Sequence, residues 1–143
     1  MPSYIIEGGR RLEGEVNVSG SKNASLPIMA ATILNSGVTK LYNIPEIRDT
    51  KITQEILRFL GCKVKKNNGK LEINSKHINR KEIPEHLMHQ MRSTVILAGA
   101  LIGRFKRAKF SYPGGCDIGT RPIDLHLKGF ENLGINIEEN AGY

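Results

Sequence analysis

Polar and apolar positions along the chain follow two rhythms. Glu15-Val16-Asn17-Val18 has a period of two, which predicts a short strand with one buried face. Ser19-Gly20-Ser21-Lys22-Asn23 follows with loop chemistry. Ser25 ahead of Leu26-Pro27 predicts a helix start, since proline is favoured near the first helical position. That helix is expected to run to Leu34 and stop near Gly37. A second strand, Thr39 to Ile44, leads to Pro45. Asp49 or Thr50 then offers a cap for a helix whose Ile52, Ile56, Phe59 and Leu60 share one face. Gly61 falls where a left-handed C-terminal cap is expected. Cys62 and Val64 alternate with Lys63 and Lys65, Asn68-Gly69 is a hairpin turn signal, and Leu71 and Ile73 continue the return strand.

The same series then recurs. Thr94 to Ile102 predicts an apolar helix ending near Gly103, and Lys106 to Tyr112 a basic strand ending at Pro113. Pro122 opens an amphipathic helix with Ile123, Leu127 and Phe130 on one face. Leu133-Gly134-Ile135-Asn136-Ile137 echoes Leu60-Gly61-Cys62-Lys63-Val64. Pro45 and Pro113 are 68 positions apart, and Gly61 and Gly134 are 73 apart, so two copies of one α/β unit account for the chain. The second copy reaches a strand at Ile135 to Ile137 and then the chain stops, in mid-hairpin by comparison with the first.

Length and charge narrow what such a fold does. The 143 residues amount to one domain's worth of chain, with 39% hydrophobic and 24% charged residues, an ordinary globular composition. The longest apolar run, Val95 to Ile102, is far shorter than a membrane span. The N-terminus lacks the basic-then-apolar layout of a signal peptide, so the expected location is the cytoplasm. Lys and Arg number 21 against 14 Asp and Glu, a net charge of +7 that favours an anionic partner: nucleic acid, anionic lipid or a phosphorylated small molecule. Cys62 and Cys116 form no metal or redox motif, and one pair is no disulfide framework.

Candidate chemistry is densest at Pro113-Gly114-Gly115-Cys116-Asp117-Ile118-Gly119-Thr120-Arg121-Pro122. Its glycines let a loop move or approach a ligand closely. Arg121 stands ahead of a helix whose N–H groups and dipole favour an anion, and a thiol beside such positive potential has a lowered pKa. Cys116 is therefore a candidate nucleophile or proton donor and Arg121 a candidate anion clamp; a glycine-rich turn with an incidental cysteine is the alternative. Lys22-Asn23 and Arg92 likewise each lead into a helix, where solvated loop cations are the bland explanation. Cys62 reads as core filling. His86 and His89 share a helical face without a matching acid or cysteine cluster, so no metal site is expected. Lys63, Lys65, Lys66 and Lys70 make a basic hairpin with no interleaved aromatic residues to stack on bases.

Taken together and in order, Ser19-Gly20-Ser21-Lys22-Asn23-Ala24, Met91-Arg92-Ser93 and Gly114-Gly115-Cys116-Asp117-Ile118-Gly119-Thr120-Arg121-Pro122-Ile123-Asp124-Leu125-His126 resemble the UDP-N-acetylglucosamine 1-carboxyvinyltransferases (enolpyruvyl transferases) over essentially the whole chain. A sister enzyme acting on shikimate 3-phosphate shares the fold and the Lys-Asn region but not the Cys loop. The resemblance implies an inside-out α/β barrel of the enolpyruvyl transferase type, helices inside and sheets outside. About two of the three repeats of one domain would be present. Residues 1–21 would pack with a second domain, residues 22–143 would form an incomplete first domain, and the chain would be an N-terminal fragment.

It also implies transfer of enolpyruvyl from phosphoenolpyruvate to the 3′-hydroxyl of UDP-N-acetylglucosamine with release of phosphate, the first committed step of peptidoglycan synthesis, without a cofactor. By the same resemblance Cys116 is the proton donor, able to form a covalent adduct with phosphoenolpyruvate and to be inactivated by fosfomycin. Lys22 and Arg121 hold phosphate and carboxylate. Asn23, Arg92, Arg121, Pro122, Ile123, Asp124 and Leu125 contact the sugar nucleotide. The general base and a further arginine would lie on the missing C-terminal part, so the chain alone is expected to turn over negligibly. A non-catalytic UDP-sugar-binding fragment and a basic nucleic-acid-binding domain are the alternatives, and self-association through an exposed barrel face is a further expectation.

Overall fold

Ser21 starts the first helix. In the computed structural model, which describes residues 3–112, 122–140 and 143 and only the backbone of Arg92, Ser21 has extended backbone and its Oγ accepts from the Ala24 N–H at 3.4 Å. Helix α1 (Lys22–Ala31) therefore begins ahead of Ser25, and Pro27 lies inside it. The serine cap decides the boundary, and Pro27 leaves the carbonyl four residues back without its helical donor. A tight turn, Thr32–Leu34, closes the helix where expected.

Strand β1 (Val38–Tyr42) follows, then helix α2 (Arg48–Leu60). Thr50 acts from inside α2: its Oγ1 donates to the Pro45 carbonyl at 2.7 Å and accepts from the Ile47 N–H at 3.3 Å. Asp49 sits in the first turn, favourable to the helix dipole. Ile52, Ile56, Leu57 and Leu60 are buried and Phe59 half-buried. Gly61 closes α2 at φ 108°. Strands β2 (Lys63–Asn67) and β3 (Lys70–Asn74) form the expected hairpin, with Asn68 and Gly69 at φ 45° and 71°, the two left-handed positions of a type I′ turn. The sheet is antiparallel in the order β1-β3-β2, with Leu41 opposite Leu71 and Val64 opposite Ile73 on the inner face.

The second half comprises β4 (Glu82–Ile83), α3 (Glu85–Met88), a tight turn at Arg92–Thr94, α4 (Val95–Phe105), β5 (Lys109–Phe110) and α5 (Asp124–Asn132). Strands β4 and β5 pair in parallel. Lys106 is spent as the left-handed cap of α4 (φ 59°), so the expected strand over Lys106–Tyr112 shortens to Lys109–Phe110. The strands expected at Glu15–Val18 and Ile135–Ile137 are absent, because neither segment meets a ladder partner among the described residues.

Helices α1, α2 and α4 pack with the sheet's inner face into one core holding Met29, Ile33, Ile56, Leu57, Ile73 and Leu101. Arg104 near the end of α4 donates to the carbonyls of Ile33, beyond α1, and Ser75, beyond β3, each at 2.8 Å. The starts of α1 and α2 meet at an ion pair between Lys22 and Asp49. The three helices thus run in one direction. The fold is α/β, and its two separate sheets leave it open among the described residues, with no closed barrel.

Candidate functional site

Parallel helices point their positive ends the same way, and three of the predicted residues lie at or just ahead of such ends: Lys22 and Asn23 in the first turn of α1, and Arg92 in the turn ahead of α4. Gly20 sets the approach to α1: its N–H donates to Asn43 Oδ1 at 3.1 Å, and a Cβ at this position would overlap the Asn43 carbonyl. Asn43 turns the chain out of β1 at φ 55°. Lys22 is then the first residue of α1, with its Nζ 3.2 Å from Asp49 Oδ2 in the first turn of α2. Its side chain is half-exposed, and Asn23 beside it is exposed.

The turn carrying Arg92 stands ahead of α4. Thr94 Oγ1 donates to the Met91 carbonyl at 2.9 Å, and the Met91 sulfur lies 3.8 Å from Thr53 Oγ1 on α2. Lys22 and Asn23 therefore stand at the start of α1 with Asp49 of α2 beside Lys22, and the turn that carries Arg92 packs through Met91 against Thr53, one turn further along α2. Helix starts leave N–H groups without acceptors inside the helix, and these with Lys22 form a surface suited to an anionic oxygen. Asp49 is the neighbour of Lys22 that the sequence did not reveal. Its only local signal was the position of an acid in a first turn, which reads as a cap; its pairing with Lys22 is a tertiary contact. An anion arriving at Lys22 competes with this carboxylate.

The remaining predicted residues stand elsewhere or outside the description. Cys116 and Arg121 lie outside the described residues. Ile123 is buried at the start of α5, whereas Pro122, Asp124 and Leu125 are exposed. Ile123 lines a cavity of about 810 Å³ with Lys109, Phe110, Leu127 and Phe130, on the β5 side of the molecule. At its rim Glu139 accepts a hydrogen bond from Tyr112, which raises the phenol pKa. No described contact joins this cavity to Lys22.

Other candidates resolve into structure. Burial pushes the Cys62 thiol pKa up, and its Sγ lies 3.5 Å from Ser75 Oγ, so this cysteine is a core residue. Lys66 pairs with Glu46 and lowers that carboxyl's pKa, while Lys70 lies 3.8 Å from Glu72. His89 faces Glu85 at 3.8 Å, and no group of three or more metal-ligating side chains assembles among the described residues. No helix among them is long and apolar enough to cross a membrane.

Residues 6–143 match the family described as EPSP synthase (3-phosphoshikimate 1-carboxyvinyltransferase). The chain belongs to this family. It is 52% identical over 143 residues to UDP-N-acetylglucosamine 1-carboxyvinyltransferase 2 of Caldanaerobacter subterraneus subsp. tengcongensis, covering 100% of this chain and 34% of that protein. It is 46% identical, with the same coverage, to UDP-N-acetylglucosamine 1-carboxyvinyltransferase of Desulfatibacillum aliphaticivorans. The crystal structure of the enolpyruvyl transferase NikO from Streptomyces tendae superposes with a TM-score of 0.77 at 25% identity, covering 94% of this chain and 29% of that one. The chain thus spans about a third of the length of the curated relatives it matches.

Proposed function

We propose that the chain forms one wall of a cytoplasmic active site that transfers enolpyruvyl from phosphoenolpyruvate to the 3′-hydroxyl of UDP-N-acetylglucosamine, in cell-wall synthesis. The observation that carries this is the similarity, along all 143 residues, to proteins named for that activity. The places of Lys22 and Asn23 at the start of α1 and of Arg92 ahead of α4 support it, because both substrates are anions.

In this reading Lys22 and Arg121 hold the phosphate and carboxylate of phosphoenolpyruvate, which fixed cations do without reorganisation. Cys116 gives a proton to the methylene carbon and the sugar hydroxyl adds to the neighbouring carbon. The tetrahedral intermediate then loses phosphate and a proton to leave the enolpyruvyl ether. Cys116 can also bond covalently to phosphoenolpyruvate. Asn23, Arg92, Pro122, Ile123, Asp124 and Leu125 contact the sugar nucleotide, with Asp124 as a nucleotide anchor, and no cofactor or metal takes part. Helices α1, α2 and α4 form the inside of an inside-out barrel and the sheets its outside. Residues 22–143 belong to the first domain and residues 1–21 pack with a second. The general base and another arginine come from the part of the relatives that this chain does not match.

The test measures UDP-N-acetylglucosamine binding and phosphate release on the same folded protein. Saturable binding without release is expected, and Arg92→Ala weakens binding roughly tenfold, the effect of losing a charge-assisted hydrogen bond. Absence of binding by the folded chain refutes the proposal. Sugar-dependent release that disappears in Cys116→Ala shows instead that the site is complete without the unmatched part.

A further inference from the structure

Thr94 ends the turn that carries Arg92, and its hydroxyl serves that turn and not the helix that follows. A capping hydroxyl accepts from an N–H two or three residues ahead. Helix α4 has no such side-chain cap, and Thr94 already has helical backbone at φ −58°. Its O–H points backwards instead. It donates to the Met91 carbonyl at 2.9 Å, with the Met88 carbonyl at 3.4 Å. Thr94 and Met88 are fully buried and Met91 is buried beside them, where a carbonyl without a donor is costly. Helix α3 has four residues and the turn three, too few to hold themselves by their own ladders. Met91 adds a second anchor, packed in the core with its sulfur against Thr53 of α2.

We propose that Thr94 is a positioning residue for Arg92, its hydroxyl fixing the backbone from which that arginine contacts the sugar nucleotide. The inference rests on the role given to Arg92 above and adds a buried residue that touches no substrate. Binding by a long side chain loses less freedom when its backbone is already held in place. The two ends of the threonine side chain have separable effects. Its methyl fills core space, and its hydroxyl holds the turn. Valine keeps the branched shape and loses the O–H, whereas serine keeps the O–H and loses the methyl. A purely structural threonine would lower stability in both variants and leave affinity alone. A positioning threonine ties affinity to the hydroxyl.

Calorimetric titration of the folded chain with UDP-N-acetylglucosamine tests it, alongside NMR relaxation of the backbone amides. Thr94→Val should weaken binding roughly fivefold, the effect of one hydrogen bond, and Thr94→Ser should stay within about twofold of the unaltered chain. In an Arg92→Ala background, Thr94→Val should cost no more than about twofold further, because a residue that acts through another is not additive with it. The Arg92 and Ser93 amides should gain motion in Thr94→Val and keep their order in Thr94→Ser, with thermal melts showing both variants folded at the temperature of the titration. Equal loss of affinity in Thr94→Ser, full affinity in Thr94→Val, unchanged amides in Thr94→Val, or the same loss with Arg92 already removed each overturns the proposal while the role of Arg92 stands. No binding by the unaltered chain, or full affinity in Arg92→Ala, refutes the role of Arg92 itself and the proposal with it.

Discussion

Leu60 and Leu133 hold the same place in two copies of one motif, each followed by a glycine in the left-handed region, at φ 108° for Gly61 and 81° for Gly134. Leu60 is fully buried, whereas Leu133 is 79% exposed. Helix α2 buries a full face between α1 and the sheet, while α5 has no buried residue, and its Phe130 approaches α4 near Gly99. Beyond Gly61 the chain enters β2 and finds β3; beyond Gly134 it meets no strand among the described residues. Helix and cap form in both copies because their signals lie within a few residues. Burial and strand pairing form in one copy because they need a partner from elsewhere.

The sharpest way to break this comparison is at the paired leucines. Leu60→Ala should cost about 2–5 kcal/mol in urea unfolding, as a fully buried leucine does. Leu133→Ala should stay within about 0.5 kcal/mol. Equal costs would mean that the second copy is packed as the first is. Arg104 is the next test, since it ties α4 of the second unit to the first through the Ile33 and Ser75 carbonyls. Arg104→Met keeps the apolar stem and removes the donor, for an expected loss of roughly 2–3 kcal/mol.

The two capping glycines sharpen the contrast further. Gly134→Ala meets open space and should cost about 1 kcal/mol of backbone strain in unfolding experiments. Gly61→Ala brings its Cβ to 2.8 Å from the His77 carbonyl oxygen, so about 2 kcal/mol is expected. The smallest effect concerns pH. Burial raises the Cys62 thiol pKa, so the native state holds its proton where the unfolded chain, near 8.5, has lost it. The stability this contributes is complete below the unfolded value and is lost as pH rises through the folded one, by at most about 1.4 kcal/mol per pH unit. Cys62→Ala should flatten that alkaline limb in pH-dependent unfolding; an unchanged limb would exclude the thiol as its cause.

Much of the architecture was legible where signals were local. Asn68-Gly69 dictated its turn, Gly61 its cap, and the apolar faces of α2, α4 and α5 their helices. The start of α1 was misplaced because two local signals compete, and the Ser21 side chain outweighs the position of Pro27. Among the site residues, Lys22, Asn23 and Arg92 were noticed for their places ahead of helices and given a role only through the resemblance; the structure puts the first two in the first turn of α1 and Arg92 in the turn ahead of α4. The Lys22–Asp49 pair was not legible, since no short window contains both residues.

What the residues by themselves determined is the alternation of helix and strand, the left-handed turns, the excess positive charge and the motifs that mark the family. Each depends on backbone preference or residue identity within a few positions. The tertiary structure alone decided that α1, α2 and α4 run parallel, that β3 lies between β1 and β2, and that Asp49 faces Lys22. It also decided that one leucine of a repeated motif is core and the other surface. Those outcomes come from groups remote in sequence competing for the same partners, and only packing resolves that competition.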